Sequence, residues 1–515
     1  MGSVTFQLMI VTIISKMTGL IREVSLAKFF GTGTITDIYV VSESVAAMAF
    51  SFLFLSIQTT FIPMYNKVLA QRGRKQADRF TANLTNTVVV LALAIVAIGF
   101  VFMPQIMHFV AAGFEGEKLD QAVLFTRIVL FRILFSALNG GFIGYLNNYN
   151  DFLTPATTGI IMNVVMIFFS YLTARTGSLY LLAFGGIVSM GVQYIFFPGA
   201  LRRVGYRHQF ILKPKDPAIL ESLEIAVPAM FSILVNDISI IVDKALATTL
   251  VPNGGASALN YANMMFMLVQ GVVIVSITTA CYPGMSRAAQ KKDLTPFKHV
   301  IDRSLTQGML LIIPATVGMM LFAEPLVRLF YQRDQFTAAS TMMTAGALFW
   351  YTPGLIGLLC SQVFVRAFYA LNDTKTPLIL STIQVGVDIT FNFILSYLFG
   401  LNGLAASTMI GNAVGAILMG IALRKKCGNL QFRSLLISTA KIVAASTVMA
   451  LVAYPLFYGM GRHMELLRMG VTVLVAAAVY GILILFAQIP EVRRLVNHIY
   501  HNRMRRKHRQ NGTRA

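Results

Sequence analysis

Charge is what this chain most lacks. Asp, Glu, Lys and Arg make up only 12% of its 515 residues, against about 25% in soluble domains, and so few charges cannot clothe a water-facing surface of this size. Cysteine is almost missing. Cys281, Cys360 and Cys427 are odd in number, sit in or beside apolar runs, and have neither metal-ligand spacing nor the arithmetic of a disulfide framework. The seven histidines are scattered, so no metalloenzyme site is visible. No glycine-rich loop leads into Lys and Ser or Thr, which removes ATP as a direct drive. No stretch outside the apolar segments is long enough to form a soluble domain.

What fills the chain is hydrocarbon: 56% of residues are hydrophobic and the mean hydropathy is +0.69. Apolar stretches of roughly 20 residues, each sufficient to cross a core of about 30 Å as a helix, recur along the whole length. We count fourteen: 5–29, 37–65, 84–107, 122–146, 155–174, 179–199, 217–249, 257–284, 300–322, 338–369, 377–399, 402–423, 436–458 and 467–488. The first lacks a small-residue cleavage site and is interrupted by charge, so it reads as a retained helix. The fold class predicted is all-α, a polytopic integral membrane protein.

The net charge of +21 is distributed by topology. Basic residues gather after even-numbered spans: Lys67, Arg72, Arg74, Lys75 and Arg79, then Arg202, Arg203, Arg207, Lys213 and Lys215, then Arg287, Lys291, Lys292, Lys298 and Arg303. Arg424 to Lys426 and a tail running to Arg509 continue the pattern, while the "FEGEKLD" connection on the other side is acidic. By the positive-inside bias the basic loops and both termini are cytoplasmic. The tail suits anionic lipid better than nucleic acid, which we do not expect as a partner.

The chain also repeats itself. Asn150, Asp151, Thr154 and Pro155 recur as Asn372, Asp373, Thr376 and Pro377, each set leading into an apolar span that ends in Ser-Tyr-Leu. Pro63 of "TTFIPMYNK" similarly falls opposite Pro283 of "TACYPGMSR". Six crossings return a chain to its starting side, so the copies are parallel repeats. The expected organisation is an N-terminal lobe at 1–215, a second at 216–430, two further helices at 431–490 and a basic cytoplasmic tail at 491–515. Two such lobes would enclose a central cleft.

Charge inside the spans marks candidate sites, because an ionised group at membrane depth costs about 2.5 to 3.5 kcal/mol even on permissive scales. In "IISKMTGLIREVSLAKFF", Ser15, Lys16, Gly19, Arg22 and Glu23 fall within an arc of roughly 120°. With Lys16 and Arg22 facing the cleft, this stripe would hold an anion; the alternative is that Arg22 and Glu23 satisfy other helices. Lys28 is near enough to the span end to snorkel. Asp37 sits where an acid complements a helix dipole, and Glu43 points elsewhere on the same helix. Arg132 is a better cleft candidate than Arg127. Asp388 and Asn392, four apart, share a face and offer oxygen ligands; Asp388 and Asp243 are acids deep in apolar spans that suit a cation or a proton.

The segments "MTGLIREVSLAKFFGTGTITDIYVV", "SALNYANMM", "ACYPGMSRAA" and "VRAFYALNDTKTP" resemble those of the MurJ (MviN) family of bacterial lipid II flippases, within the multidrug/oligosaccharidyl-lipid/polysaccharide exporter superfamily. That resemblance implies fourteen helices in two lobes and a non-enzymatic transporter of the bacterial cytoplasmic membrane. It implies a lipid-linked anionic saccharide as cargo, moved between leaflets by alternating access, with cell-wall synthesis machinery as a further partner. It implies that Ser15, Lys16, Arg22, Glu23 and Asp37 belong to the cargo path, that the lipid tail lies beside spans 13 and 14, and that a sodium site would draw on Asp243, Asp388, Asn392 and Thr408. No cofactor is implied beyond that sodium ion or a proton.

The chain departs from the family pattern in three places. "SVAAMAFSFLFLSIQTTFIP" carries no charge where an arginine and an acid are frequent, Met264 follows Asn263 where arginine is frequent, and Lys16 replaces an arginine, losing its two-pronged phosphate geometry. Fewer cleft cations keep a flippase for another lipid-linked saccharide in view, with a cation-coupled drug antiporter behind it. A membrane glycosyltransferase or a scaffold is the remaining class; the short outer loops give an enzyme little to work with.

Overall fold

A computed structural model describes residues 2–428, 432–461 and 465–493; the expected tail lies outside the described residues from 494 onward. Among the described residues every regular element is helical. The chain opens with α1 (Gly2–Phe30), α2 (Thr34–Arg72), α3 (Arg74–Val110), α4 (Gly116–Leu130), α5 (Arg132–Asn148) and α6 (Leu153–Thr176). There follow α7 (Leu179–Gly191), α8 (Phe197–Arg203), α9 (Pro217–Leu250), α10 (Gly255–Val269), α11 (Val275–Ala289), α12 (Thr295–Leu321) and α13 (Ala323–Tyr331). The last six are α14 (Ala338–Tyr351), α15 (Gly354–Ala370), α16 (Lys375–Phe399), α17 (Leu401–Cys427), α18 (Phe432–Gly459) and α19 (Glu465–Phe486).

Ten helical stretches among the described residues are long and apolar enough to cross a membrane, and the bent pair α14 and α15 would make eleven. The other expected spans fall on α1, α2 and α9, which have the length, at 29, 39 and 34 residues. Several spans expected as single rods are broken. The one at 122–146 is interrupted between α4 and α5, where Phe131 N–H turns back tightly to the Ile128 carbonyl at 3.2 Å. The one at 338–369 bends by 43° just before α15, where Pro353 removes a donor from the ladder. The one at 257–284 carries a π-turn at Gln270–Ile274.

Compactness divides the chain into Met1–Tyr261 with Phe330–Met343, and Ala262–Leu329 with Thr344–Ala515. The lobes expected from the repeated motifs, 1–215 and 216–430, would divide it elsewhere, since α9 lies in the first compact unit.

In the first unit, α1 packs along α6, and α2 runs beside α9, α5, α3 and α4. Lys67 pairs with Glu221 at 2.5 Å and Ser51 donates to Asp237, fastening α2 to α9. In the second, α17 packs against α15 and α16, and α18 against α12 and α19. Hydrocarbon tails supply no hydrophobic drive between helices, so close backbone approach matters: a methyl group on Gly357 of α15 would lie 2.7 Å from the Asn412 carbonyl of α17. Large apolar side chains such as Tyr397, Leu474 and Phe486 face outward, as a lipid-solvated surface allows.

The two punctuation motifs fold alike. Asn150 and Asn372 both adopt left-handed backbone, with φ of 62° and 57°. The next residue closes a six-residue loop, Asp151 N–H to the Leu146 carbonyl and Asp373 N–H to Phe368, each at 3.0 Å. Each aspartate then caps the following helix: Asp151 accepts from Thr154 N–H at 3.1 Å and its hydroxyl at 2.8 Å, Asp373 from Thr376 at 3.0 and 2.8 Å.

Candidate functional site

The polar stripe of α1 is shared between packing and exposure. Ser15 and Gly19 face α6. Asn163 donates its amide to the Ser15 carbonyl and the Thr18 hydroxyl, both at 3.2 Å, and a methyl group on Gly19 would lie 3.5 Å from that amide. Lys16, one residue round, is exposed. Arg22 donates to Glu23 at 2.6 Å; its side chain keeps 26% exposure while that of Glu23 keeps 7%. The helix thus presents one exposed ammonium and one half-buried guanidinium whose charge is largely answered by its neighbour.

Asp37 is fully buried in the first turn of α2 and does not face outward at all. Its carboxylate accepts from Gly254 N–H at 2.7 Å and Ser257 N–H at 3.0 Å, supplying the first turn of α10 with the acceptor that its own residues lack. Lys118 of α4 approaches it at 3.4 Å and also donates to Asn253 at 3.1 Å and to the Pro252 carbonyl. One carboxylate therefore gathers α2, α4 and the start of α10. Lys118 lies in the acidic connection and sequence reading passed it over, because nothing local ties it to a residue 81 positions away.

Arg132 opens α5 and reaches across to Glu43 of α2, both carboxylate oxygens lying 2.5 Å from one guanidinium nitrogen. The two side chains are 14% and 21% exposed, so the pair is mostly buried. This satisfies Glu43, which shares no face with Asp37, as its position six residues on requires. Arg127 instead lies over the Phe100 ring and donates to the Phe100 carbonyl at 2.9 Å, at an exposed position. Lys28 is exposed at the end of α1, 3.8 Å from Asp334.

The oxygen donors proposed from sequence fall in both units. Asp388 and Asn392 are buried on one face of α16 against α17, where Gly411 leaves room for the Asp388 side chain, and Asn392 accepts from Ser407. Thr408, half-buried on α17, directs its hydroxyl to the Leu404 carbonyl at 3.4 Å. Asp243 is half-buried on α9, in the first unit, beside the buried Lys244. Carboxylate, amide and hydroxyl oxygens are the donors a hard cation takes. No group of three or more His, Cys, Asp or Glu suited to a metal occurs among the described residues.

Two features were not marked by sequence. Arg366 of α15, inside the quoted "VRAFYALNDTKTP", lies over the Tyr282 ring at 5.8 Å, and its buried Nε has no hydrogen-bond partner among the described residues. The second is a groove of about 360 Å³ in the second unit, walled by α12, α18 and α19 and floored by Phe322, Ala453 and Met469. Its polar atoms are already spent: Thr472 donates to the Arg468 carbonyl at 2.8 Å and Tyr480 to the Leu310 carbonyl at 2.7 Å. The surface that remains is hydrocarbon, suited to an alkyl or prenyl chain.

Residues 26–476 match the family model described as "Lipid II flippase MurJ". The lipid II flippase MurJ of Burkholderia cenocepacia is 28% identical over 427 residues, covering 81% of this chain and 82% of that protein. A solved structure of lipid II flippase MurJ in an inward closed conformation superposes with a TM-score of 0.79 at 24% identity, covering 92% of this chain and 97% of the other. An inward-facing multidrug resistance MATE transporter of the MOP superfamily superposes at 0.70 with 17% identity, over 81% and 95% of the two chains. At these identities the structural likenesses establish the fold.

Proposed function

The chain belongs to the lipid II flippase MurJ family, and on that premise we propose that it carries lipid II, a peptidoglycan precursor linked to undecaprenyl diphosphate, from the inner to the outer leaflet of the bacterial cytoplasmic membrane by alternating access. The observation that carries this reading is the family match across residues 26–476. The protein is a transporter, and no residue is assigned a catalytic role.

The geometry supports a division of labour. Lys16, exposed on α1, and Arg22, partly exposed beside Glu23, receive the diphosphate. Glu23 tempers the guanidinium, so the anion is held without being trapped. Arg132, bound to Glu43, keeps α5 against α2; Asp37 caps α10; Ser15 and Gly19 hold α1 on α6. The apolar groove of α12, α18 and α19 takes part of the prenyl tail. The two repeat lobes, 1–215 and 216–430, rock about the cargo. An interior-negative potential drives a net negative cargo outward by about 2.3 kcal/mol per charge per 100 mV. A sodium ion or proton at Asp388, with Asn392 and Thr408 as further oxygen donors, resets the cycle, and Asp243 on α9 is a separate candidate acid.

The test is survival of bacteria depleted of their own lipid II flippase and supplied with this protein, beside Lys16→Ala and Arg22→Ala variants of verified membrane abundance. Rescue by the parent and loss in both variants is expected. A well-inserted parent that cannot rescue, while a known lipid II flippase in the same host does, removes lipid II as cargo.

A further inference from the structure

A cavity of about 410 Å³ opens on the basic face of the first unit, where the end of α2, the start of α3 and the segment after α8 meet. Its walls carry Arg72, Arg79 and Lys213, and its single acid is Asp216. None of the three cations is in an ion pair or gives a side-chain hydrogen bond among the described residues, although the neighbouring Arg74 is engaged by Asp78 and the Val204 carbonyl. The carboxylate of Asp216 is committed to the Ala218 N–H at 2.9 Å, the first turn of the 34-residue α9. Three cations against one engaged acid leave a formal charge of +2.

The wall is built before any ligand arrives. Asn83 exchanges two hydrogen bonds with the backbone of Lys213, accepting from its N–H at 2.6 Å and donating to its carbonyl at 2.9 Å. Asn86 donates to the carbonyls of Gln209 and Ile211 at 3.0 and 2.9 Å and contacts His208 at 2.9 Å. The segment carrying Lys213 is thereby clamped along α3, and buried Phe80 and Ala218 close the floor. Ordering cost is met on folding, so a bound anion need only gather the side chains.

We propose that this cavity is a phosphate-binding site, taking an anionic phosphate group from a lipid head group or from a soluble phosphate compound on the face that the positive-inside bias assigns to the cytoplasm. Guanidinium groups match phosphate geometry with two parallel donors, and the exposed amide side chains of Gln76 and Gln209 line the same cavity. The site uses none of the residues assigned to the cargo and stands whether or not that assignment holds.

Full-length protein is examined by native mass spectrometry from phosphatidylcholine nanodiscs doped with phosphatidylglycerol, and by equilibrium binding of radiolabelled pyrophosphate in undoped nanodiscs. The parent is expected to bind at least one probe with an apparent affinity tenfold or more above that of an Arg72→Gln, Arg79→Gln, Lys213→Gln variant with an unchanged thermal melt. Exposed Arg79→Gln alone should give an intermediate loss. A control, Arg202→Gln with Arg203→Gln, removes charge from the nearby end of α8 but not from the cavity and should behave as the parent. Retained phosphatidylglycerol that pyrophosphate does not displace assigns a lipid head group, and pyrophosphate binding without anionic lipid assigns a soluble source. Binding of neither probe, equal binding by parent and triple variant, or an equal loss in the control overturns the proposal.

Discussion

Removing the Asp37 carboxylate tests whether this residue is architecture or cargo site. Asp37→Ala leaves the Gly254 and Ser257 N–H groups and the Lys118 ammonium without their shared acceptor in a place closed to water. Loss of a capping side chain costs about 0.5–2 kcal/mol, and breaking a buried ion pair about 3–5 kcal/mol. Lys118 retains Asn253 and the Pro252 carbonyl, which places the expected loss near the lower end, about 3 kcal/mol. Asp37→Asn keeps an acceptor and should lose about half of that. Unfolding in mixed detergent micelles, followed by circular dichroism, measures both, and adding Lys118→Met completes a double-mutant cycle with an expected coupling of about 1 kcal/mol. An Asp37→Ala protein within about 0.5 kcal/mol of the parent that nevertheless fails to transport would refute the capping argument and return Asp37 to the cargo path.

The mostly buried Arg132 and Glu43 pair should behave asymmetrically: either single alanine variant loses about 3 kcal/mol or more, whereas Arg132→Met with Glu43→Leu recovers most of it, read from the same unfolding curves. Gly318 lines the apolar groove, and a methyl group there would meet nothing within 4 Å. Gly318→Ala should be neutral or stabilising by up to about 1 kcal/mol, while Gly318→Phe, filling the groove, should lower flippase-dependent survival without lowering abundance; unimpaired survival would remove the groove from the tail path. Asp373 is held down to about 2 from an ordinary 3.8, first by its hydrogen bond to Lys426 and then by the Thr376 N–H. Its folded pKa is depressed, so its contribution is complete above about 3.8 and is lost as pH falls toward 2. Lys426→Met should raise that pKa and narrow the window, seen by comparing melts at pH 5 and pH 3.

The helices and the twin turns were legible because each is local in sequence. An apolar run of membrane length has few alternatives, and the shared Asn-Asp and Thr-Pro spacing encodes a turn whose hydrogen bonds span six residues or fewer, which is why Asp151 and Asp373 fold alike. The interruptions were less visible, since Phe131 and Pro353 sit inside stretches whose average hydropathy barely changes. The candidate site was legible as residue types and not as partners. Periodicity placed Ser15, Lys16, Gly19 and Arg22 on one side of α1, but which flank meets Asn163 depends on α6, 148 residues on. For the same reason Glu43 gave no hint of Arg132, and Asp37 none of Ser257. The groove could not be read at all, because it is a gap among helices that look alike in composition.

The twin turns also bear on the order in which the protein is assembled. A corner closed by bonds between residues 146 and 151, or 368 and 373, can form as soon as those few residues leave the ribosome, so each half can set the register of its own neighbouring helices during insertion. The cap that Asp37 provides is different in kind. Its acceptor is made early and waits for a donor 217 residues later, so the carboxylate spends a long stretch of synthesis without the N–H groups it will serve. The start of α2 is therefore completed late, by the segment that opens α10.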